Sequence, residues 1–117
     1  VFASYYEPWG YTPLESVAFG IPTITTDLSG FGQWVSKKTE NITTGVGIVH
    51  RTDENYHEVA ENIAEMVLQF AEKSDAEVEK IRAKASKTAQ KALWKNFIKY
   101  YEKAFTIALK NNKQNRI

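Results

Sequence analysis

The chain has 117 residues, 43% of them hydrophobic and 13% aromatic, which is enough for one compact core and too little for two, so a single domain over residues 1–117 is expected. It has no cysteine, which excludes disulfides and thiolate metal sites, and its apolar runs fall far short of a membrane span, so a soluble cytoplasmic protein is expected. The net charge of +1 is unevenly spread: residues 1–50 hold two lysines against four acids, and residues 80–116 hold eleven Lys or Arg against Glu102 alone.

The first run, "VFAS", has the pattern of a buried strand entered in mid-fold, so the sequence is expected to be a piece of a longer protein. After it comes "YYEPWGYTPLES", residues 5–16. Thr12 stands before a proline whose fixed φ suits the first helical position, and Glu15 follows three residues later, so Thr-x-x-Glu reads as a capping box. A short helix over Pro13 to Phe19, stopped by Gly20, is predicted. Its free first-turn amides and positive dipole end, together with Gly10 and Tyr11, would form an anion site. An ordinary capped helix is the plain structural alternative.

"IPTITT" and "GVGIVHR" read as further strands, with "DLSGFGQW" as a turn between them. Strand, helix, strand, turn and strand in that order predict an α/β fold with part of a Rossmann-like parallel sheet, followed by long C-terminal helices. The glycines of "SGFG" and "GVG" match no phosphate-binding fingerprint and read as turn glycines. Asn41-Ile42-Thr43 is a formal glycosylation sequon, discounted because nothing else indicates secretion.

From Asp53 onward the period is helical. Val59, Ile63, Met66, Val67 and Phe70 form one face, and Ser74-x-x-Glu77 caps a next helix with Val78, Ile81, Ala85, Ala89 and Ala92 on its face. Trp94, Phe97, Tyr101, Phe105 and Ala108 continue the period with no Gly or Pro between, which leaves a bend near Leu93 open. The polar end from Lys110 to Ile117 is expected to fray. Lys80, Lys84, Lys87, Lys91, Lys95, Lys99 and Lys103 recur at helical intervals as a basic stripe, by default a solvated face, and no recognition motif accompanies it, so no nucleic acid is expected as a partner.

Ligands of α/β sheets collect beyond the carboxyl ends of the strands, where the loop from Ser4 to Thr12 would lie. Glu7 and Glu15 are eight apart, an E-x7-E spacing that lets both face one cleft. Capping explains Glu15 completely. Glu7, between Tyr6 and Pro8 at a loop mouth, has no such explanation and is the stronger functional candidate. His50 and His57 have no cysteine or clustered acid beside them, so no metal site is expected.

"SYYEPWGYTPLESVAFGIPTITTDLSGFG" resembles the donor-site segment of the glycogen synthases of animals and fungi, which are retaining glycosyltransferases of the GT-B fold. "LWKNFIKYYEKAF" is similar to their closing helix, and the stretch between matches in pattern only. The resemblance implies the C-terminal half of a GT-B donor domain. It also implies transfer of glucose from UDP-glucose to the non-reducing end of an α-1,4-glucan, with retention and without metal or other cofactor. Carried over residue by residue, it implies that Glu7 is catalytic beside the transferred sugar, that Gly10, Tyr11 and Thr12 bind the diphosphate, that Glu15 accepts from the ribose hydroxyls, and that Trp9 shapes the sugar pocket.

The partners so implied are the nucleotide sugar, the glucan and an N-terminal domain of the same enzyme; without that domain, the aromatic surface of the last helix is expected to favour homo-oligomers. One departure bears on regulation. Regulated members carry an arginine cluster on the helix before the last, where "DAEVEKIRAKASKTAQKAL" has Arg82 alone among lysines and acids, so activation by glucose-6-phosphate is not expected. A different retaining transferase is one alternative reading. A non-catalytic helical module that holds an acidic partner, ignores UDP and loosens with salt is the other.

Overall fold

The computed structural model describes residues 1–36 and 41–114, with the side chains of residues 113 and 114 left aside. The first helix, α1, runs Tyr11–Ala18 and starts two residues earlier than the capping box predicts. Its N-cap is Gly10, held at φ 108 with no side-chain cap bond. That left-handed conformation is open to glycine at little steric cost and starts the helix without help from Thr12. Pro13 consequently falls in the third helical position, where its missing N–H is still one of the unpaired first-turn donors.

Strand β1, Thr23–Thr26, is buried throughout and pairs in parallel with β2, Val46–Val49, with Thr23 opposite Val46 and Thr26 opposite Val49. The expected first strand contracts to a bridge: Phe2 pairs in parallel with Thr25, its N–H donating to the Ile24 carbonyl at 2.8 Å. β1 is therefore central, with Phe2 on one side and β2 on the other. Between the strands the "DLSGFGQW" segment is no turn. It holds a helix, α2, Gly30–Ser36, because Ser29 caps it: the buried Ser29 Oγ accepts from Gly32 N at 2.9 Å and donates to Thr26 O at 3.2 Å.

Gly30 and Gly32 are packing positions on α2. A Cβ on Gly30 would run into the Pro8 carbonyl and one on Gly32 into the Thr26 carbonyl. A short 3-10 turn at Ile42–Thr44 precedes β2 and is capped by Asn41, whose Oδ1 accepts from Thr43 N at 3.0 Å. That bond gives the sequon asparagine a structural use.

Three helices follow: α3 (Tyr56–Ala71), α4 (Asp75–Lys91) and α5 (Trp94–Gln114). Both faces of the strand pair are covered, as parallel sheets require. Val46 packs with Val17 of α1, Phe31 and Val35 of α2, and Ala85 and Ala89 of α4. On the other face Ile24 and Val49 pack with Ile42 and with Val59 of α3, joined by Ile63, Met66 and Phe70. The predicted capping box forms at α4, where Glu77 Oε2 accepts from the Ser74 amide at 3.0 Å and from its hydroxyl at 2.8 Å.

The helical face does break near Leu93. The Asn96 amide donates to the carbonyls of Gln90 and Lys91 at 3.1 and 3.2 Å, closing α4 where no Gly or Pro stands. Residues 110 to 114, expected to fray, continue α5, and residues 115 to 117 lie outside the described residues.

Candidate functional site

The loop from residue 3 to residue 10 crosses the carboxyl ends of β1 and β2. It is laid there by backbone bonds. Glu7 N–H donates to Leu28 O at 3.4 Å, Gly30 N–H to Glu7 O at 3.2 Å, and Phe31 N–H to Trp9 O at 2.6 Å. The first-turn amides of α2, at Gly30, Phe31 and Gly32, are all occupied in this way, two by the loop and one by Ser29. The N-terminus of α2 thus fixes the loop and is closed to a ligand.

The N-terminus of α1 is different. Gly10 is buried, while Tyr11 and Thr12 are exposed. The N–H groups of Tyr11 and Thr12 carry no hydrogen bond within the described chain, the first intrahelical bond being Leu14 N–H to Gly10 O at 3.3 Å. Two donors and the positive end of the helix dipole therefore face outward together, an arrangement that favours an anion.

Glu7 is half-buried, and its Oε2 lies 3.6 Å from where a Cβ on Gly10 would stand, so its carboxylate rests against the backbone of this turn. Glu15 is exposed one turn along α1, on the same helix face as Thr12 and Tyr11 by its three- and four-residue spacing. No side-chain bond ties it to Thr12, so the capping explanation of Glu15 falls away.

Trp9 is committed to packing. Its indole meets Phe31 at 6.1 Å and Phe97 of α5 at 5.7 Å, both edge to face, and Trp34 at 6.1 Å. These contacts fasten the loop to α2 and α5. The outer side of the cluster lines an open aromatic cleft of about 550 Å³ with Tyr11, Trp94 and Tyr101.

Several residues at the loop carry no motif of their own. Arg51 Nη1 donates to Ala3 O at 2.6 Å, and its guanidinium lies 5.0 Å from the centre of the Tyr5 ring. Asp27 accepts from Arg51 N–H at 3.0 Å and pairs with His50 Nδ1 at 2.5 Å. That hydrogen bond, more than the bare charge of Asp27, raises the pKa of the exposed His50 above its ordinary value. The signal that could have found these residues is positional, since 27 and 50–51 follow directly on β1 and β2. Ser4 Oγ donates to Glu7 Oε2 at 3.3 Å, a Ser-x-x-Glu spacing like that of Ser74 and Glu77.

The fold places the chain among α/β proteins with a parallel sheet wrapped on both faces, and the comparisons with known proteins narrow this. The family model described as glycogen synthase matches residues 1–116, so the chain belongs to the glycogen synthase family. Glycogen [starch] synthase of Neurospora crassa is 37% identical over 111 residues, covering 94% of this chain and 16% of its own length. Isoform 2 of Saccharomyces cerevisiae is 34% identical over 113 residues, with 94% and 16% covered. The liver synthase of Mus musculus is 34% identical over 110 residues, with 93% and 16% covered. The chain therefore spans about a sixth of the length of these relatives.

Among the described residues no helix is long and apolar enough to cross a membrane.

Proposed function

We propose that this chain is the donor-side portion of a retaining GT-B glucosyltransferase, moving glucose from UDP-glucose to the non-reducing end of an α-1,4-glucan in the cytoplasm. Residues 1–117 would then be part of one nucleotide-sugar-binding domain, completed by an N-terminal domain of the same enzyme. The observation that carries this reading is the contrast between two helix N-termini beside one carboxylate. The amides of α2 are consumed in holding the Glu7 loop, while those of Tyr11 and Thr12 stay open next to it.

In this reading the diphosphate lies on the N-terminus of α1, with Gly10 admitting the close approach and the Thr12 hydroxyl as an added donor. Donors fixed before the reaction stabilise the departing diphosphate without reorganising, which is the electrostatic work a metal-free transferase must do. Glu7 contacts the transferred glucose, Trp9 backs the sugar pocket through its aromatic cluster, and Glu15 accepts from the ribose hydroxyls. Support comes from the family membership and from the exposure of Thr12 and Glu15 on one side of α1.

The test is Glu7→Ala in the complete enzyme that contains this segment, assayed with labelled UDP-glucose and glycogen. Turnover should fall by orders of magnitude with the melting temperature unchanged, because the Glu7 backbone, which holds the loop, is retained. Wild-type turnover in that variant overturns the assignment.

A further inference from the structure

Glu7 is held by a closed circuit of hydrogen bonds. Thr26, fully buried at the end of β1, donates from Oγ1 to the Ser4 carbonyl at 2.6 Å. Ser4 Oγ donates to Glu7 Oε2 at 3.3 Å. Glu7 N–H donates to the Leu28 carbonyl at 3.4 Å, and Leu28 N–H returns to Thr26 Oγ1 at 3.4 Å. Each hydroxyl in the circuit has its proton direction fixed, since Thr26 Oγ1 accepts on one side and donates on the other.

Ser4 is further tied by its own N–H to the Phe2 carbonyl at 2.8 Å, and Phe2 is bridged to β1. The serine hydroxyl is thus anchored to the central strand. Through it the Glu7 carboxylate is tied to that strand as well. A glutamate has three side-chain torsions, and one left free at a loop mouth would spread over several rotamers.

Resting on the reading of Glu7 as the residue beside the transferred sugar, we propose that Ser4 is a positioning residue for that reaction. It occupies Oε2 of Glu7 and leaves Oε1 to meet the sugar, with Thr26 fixing Ser4 in turn. Positioning within a few tenths of an ångström is where turnover is most sensitive and donor affinity least.

Ser4→Ala removes only the bond to Glu7, because the Ser4 carbonyl that Thr26 binds is retained. In the complete enzyme this variant should lose between about tenfold and a hundredfold in kcat, with KM for UDP-glucose, UDP affinity and melting temperature unchanged. Ser4→Thr, which keeps the hydroxyl, should restore most of the loss. Retained kcat in Ser4→Ala overturns the proposal, as does a loss that Ser4→Thr leaves unrepaired or one that falls in KM or UDP affinity. These outcomes are separable from failure of the donor-site reading, since that reading fails only if Glu7→Ala itself keeps wild-type turnover.

Discussion

Thr25 stands in the middle of β1 at 1% exposure, and its Oγ1 finds no hydrogen-bond partner among the described residues. The other two threonines of the strand do better, Thr23 bonding Ser16 and Ile21 and Thr26 serving the Glu7 loop. A buried hydroxyl that loses water and gains nothing costs stability, whereas valine has the same branched shape without the oxygen. Thr25→Val should therefore stabilise the chain by about 1 kcal/mol, read as a rise of several degrees in a thermal melt. A lower melting temperature would mean that the hydroxyl has a partner after all. The neighbouring site residues show what one sequence reveals at this scale. Glu7 stands out because no helix cap explains it, and Pro8 and Gly10 mark the turn; its local bond from Ser4 shows in the sequence only as a Ser-x-x-Glu spacing. The sequence points to Thr12 as the cap, whereas what starts α1 is a backbone angle at Gly10, and a glycine does not announce which of its many conformations it will take. Gly30 and Gly32 look like turn residues in the sequence for a related reason. Their role is to let the Pro8 and Thr26 carbonyls come close, and those approaches exist only once the chain has folded.

Between elements, the legible features are those whose cause is local. Ser74 and Glu77 are three residues apart, and their box forms as predicted; the bonds from the Ser74 amide and hydroxyl hold the Glu77 carboxyl below its ordinary value. The break between α4 and α5 is also local in sequence, yet its agent, Asn96, lies beyond the break and reaches back to it, so a search for Gly or Pro misses it. The contraction of "VFAS" to a single bridge depends on a neighbour, β1, that lies across the sheet. The clasp of Asp27 and His50 belongs to this scale because it ties the segment after β1 to the segment after β2. Its pH dependence has a definite sign. His50 is raised above its ordinary 6.5 by the Asp27 hydrogen bond first and by the charges of Asp27 and Glu58 in addition. Stability from a group whose folded pKa is raised is present in full below the unfolded value and is lost as pH climbs through the folded one. Wild type should therefore out-melt His50→Asn at pH 5.5, with the gap closing by pH 8.5. A gap constant across that range would show that the clasp works through a neutral hydrogen bond alone. His50 is largely exposed, so a modest and salt-sensitive gap is expected.

Taken whole, the chain is long for its mass. Its radius of gyration is 17.7 Å over extents of 66 × 35 × 19 Å, against about 13 Å for a compact domain of this length. The excess is α5, which touches the body through Phe97 and then stands clear of it, with Phe105 and Leu109 63% and 65% exposed. Its apolar positions Trp94, Ile98, Tyr101, Phe105 and Ala108 alternate four- and three-residue steps, the spacing with which one helix packs against another. A face of that size left in water favours association. On the proposed reading, a GT-B site is also a cleft whose second wall is another domain, and transfer needs that cleft closed to align donor with acceptor and to exclude water. Residues 1–117 supply the Glu7 loop and the opening of α1, so they offer the diphosphate two amides and a hydroxyl and no second wall. The 117-residue chain alone should therefore transfer no glucose from labelled UDP-glucose to glycogen. It should bind UDP weakly if at all by calorimetry, and it should sediment as a self-associating species. Replacing Phe105 and Leu109 together by Gln should return it to monomer without lowering its melting temperature, since neither side chain packs in the core. Glucan extension by this chain alone would overturn the two-wall argument, and a strictly monomeric wild type would overturn the role given to α5.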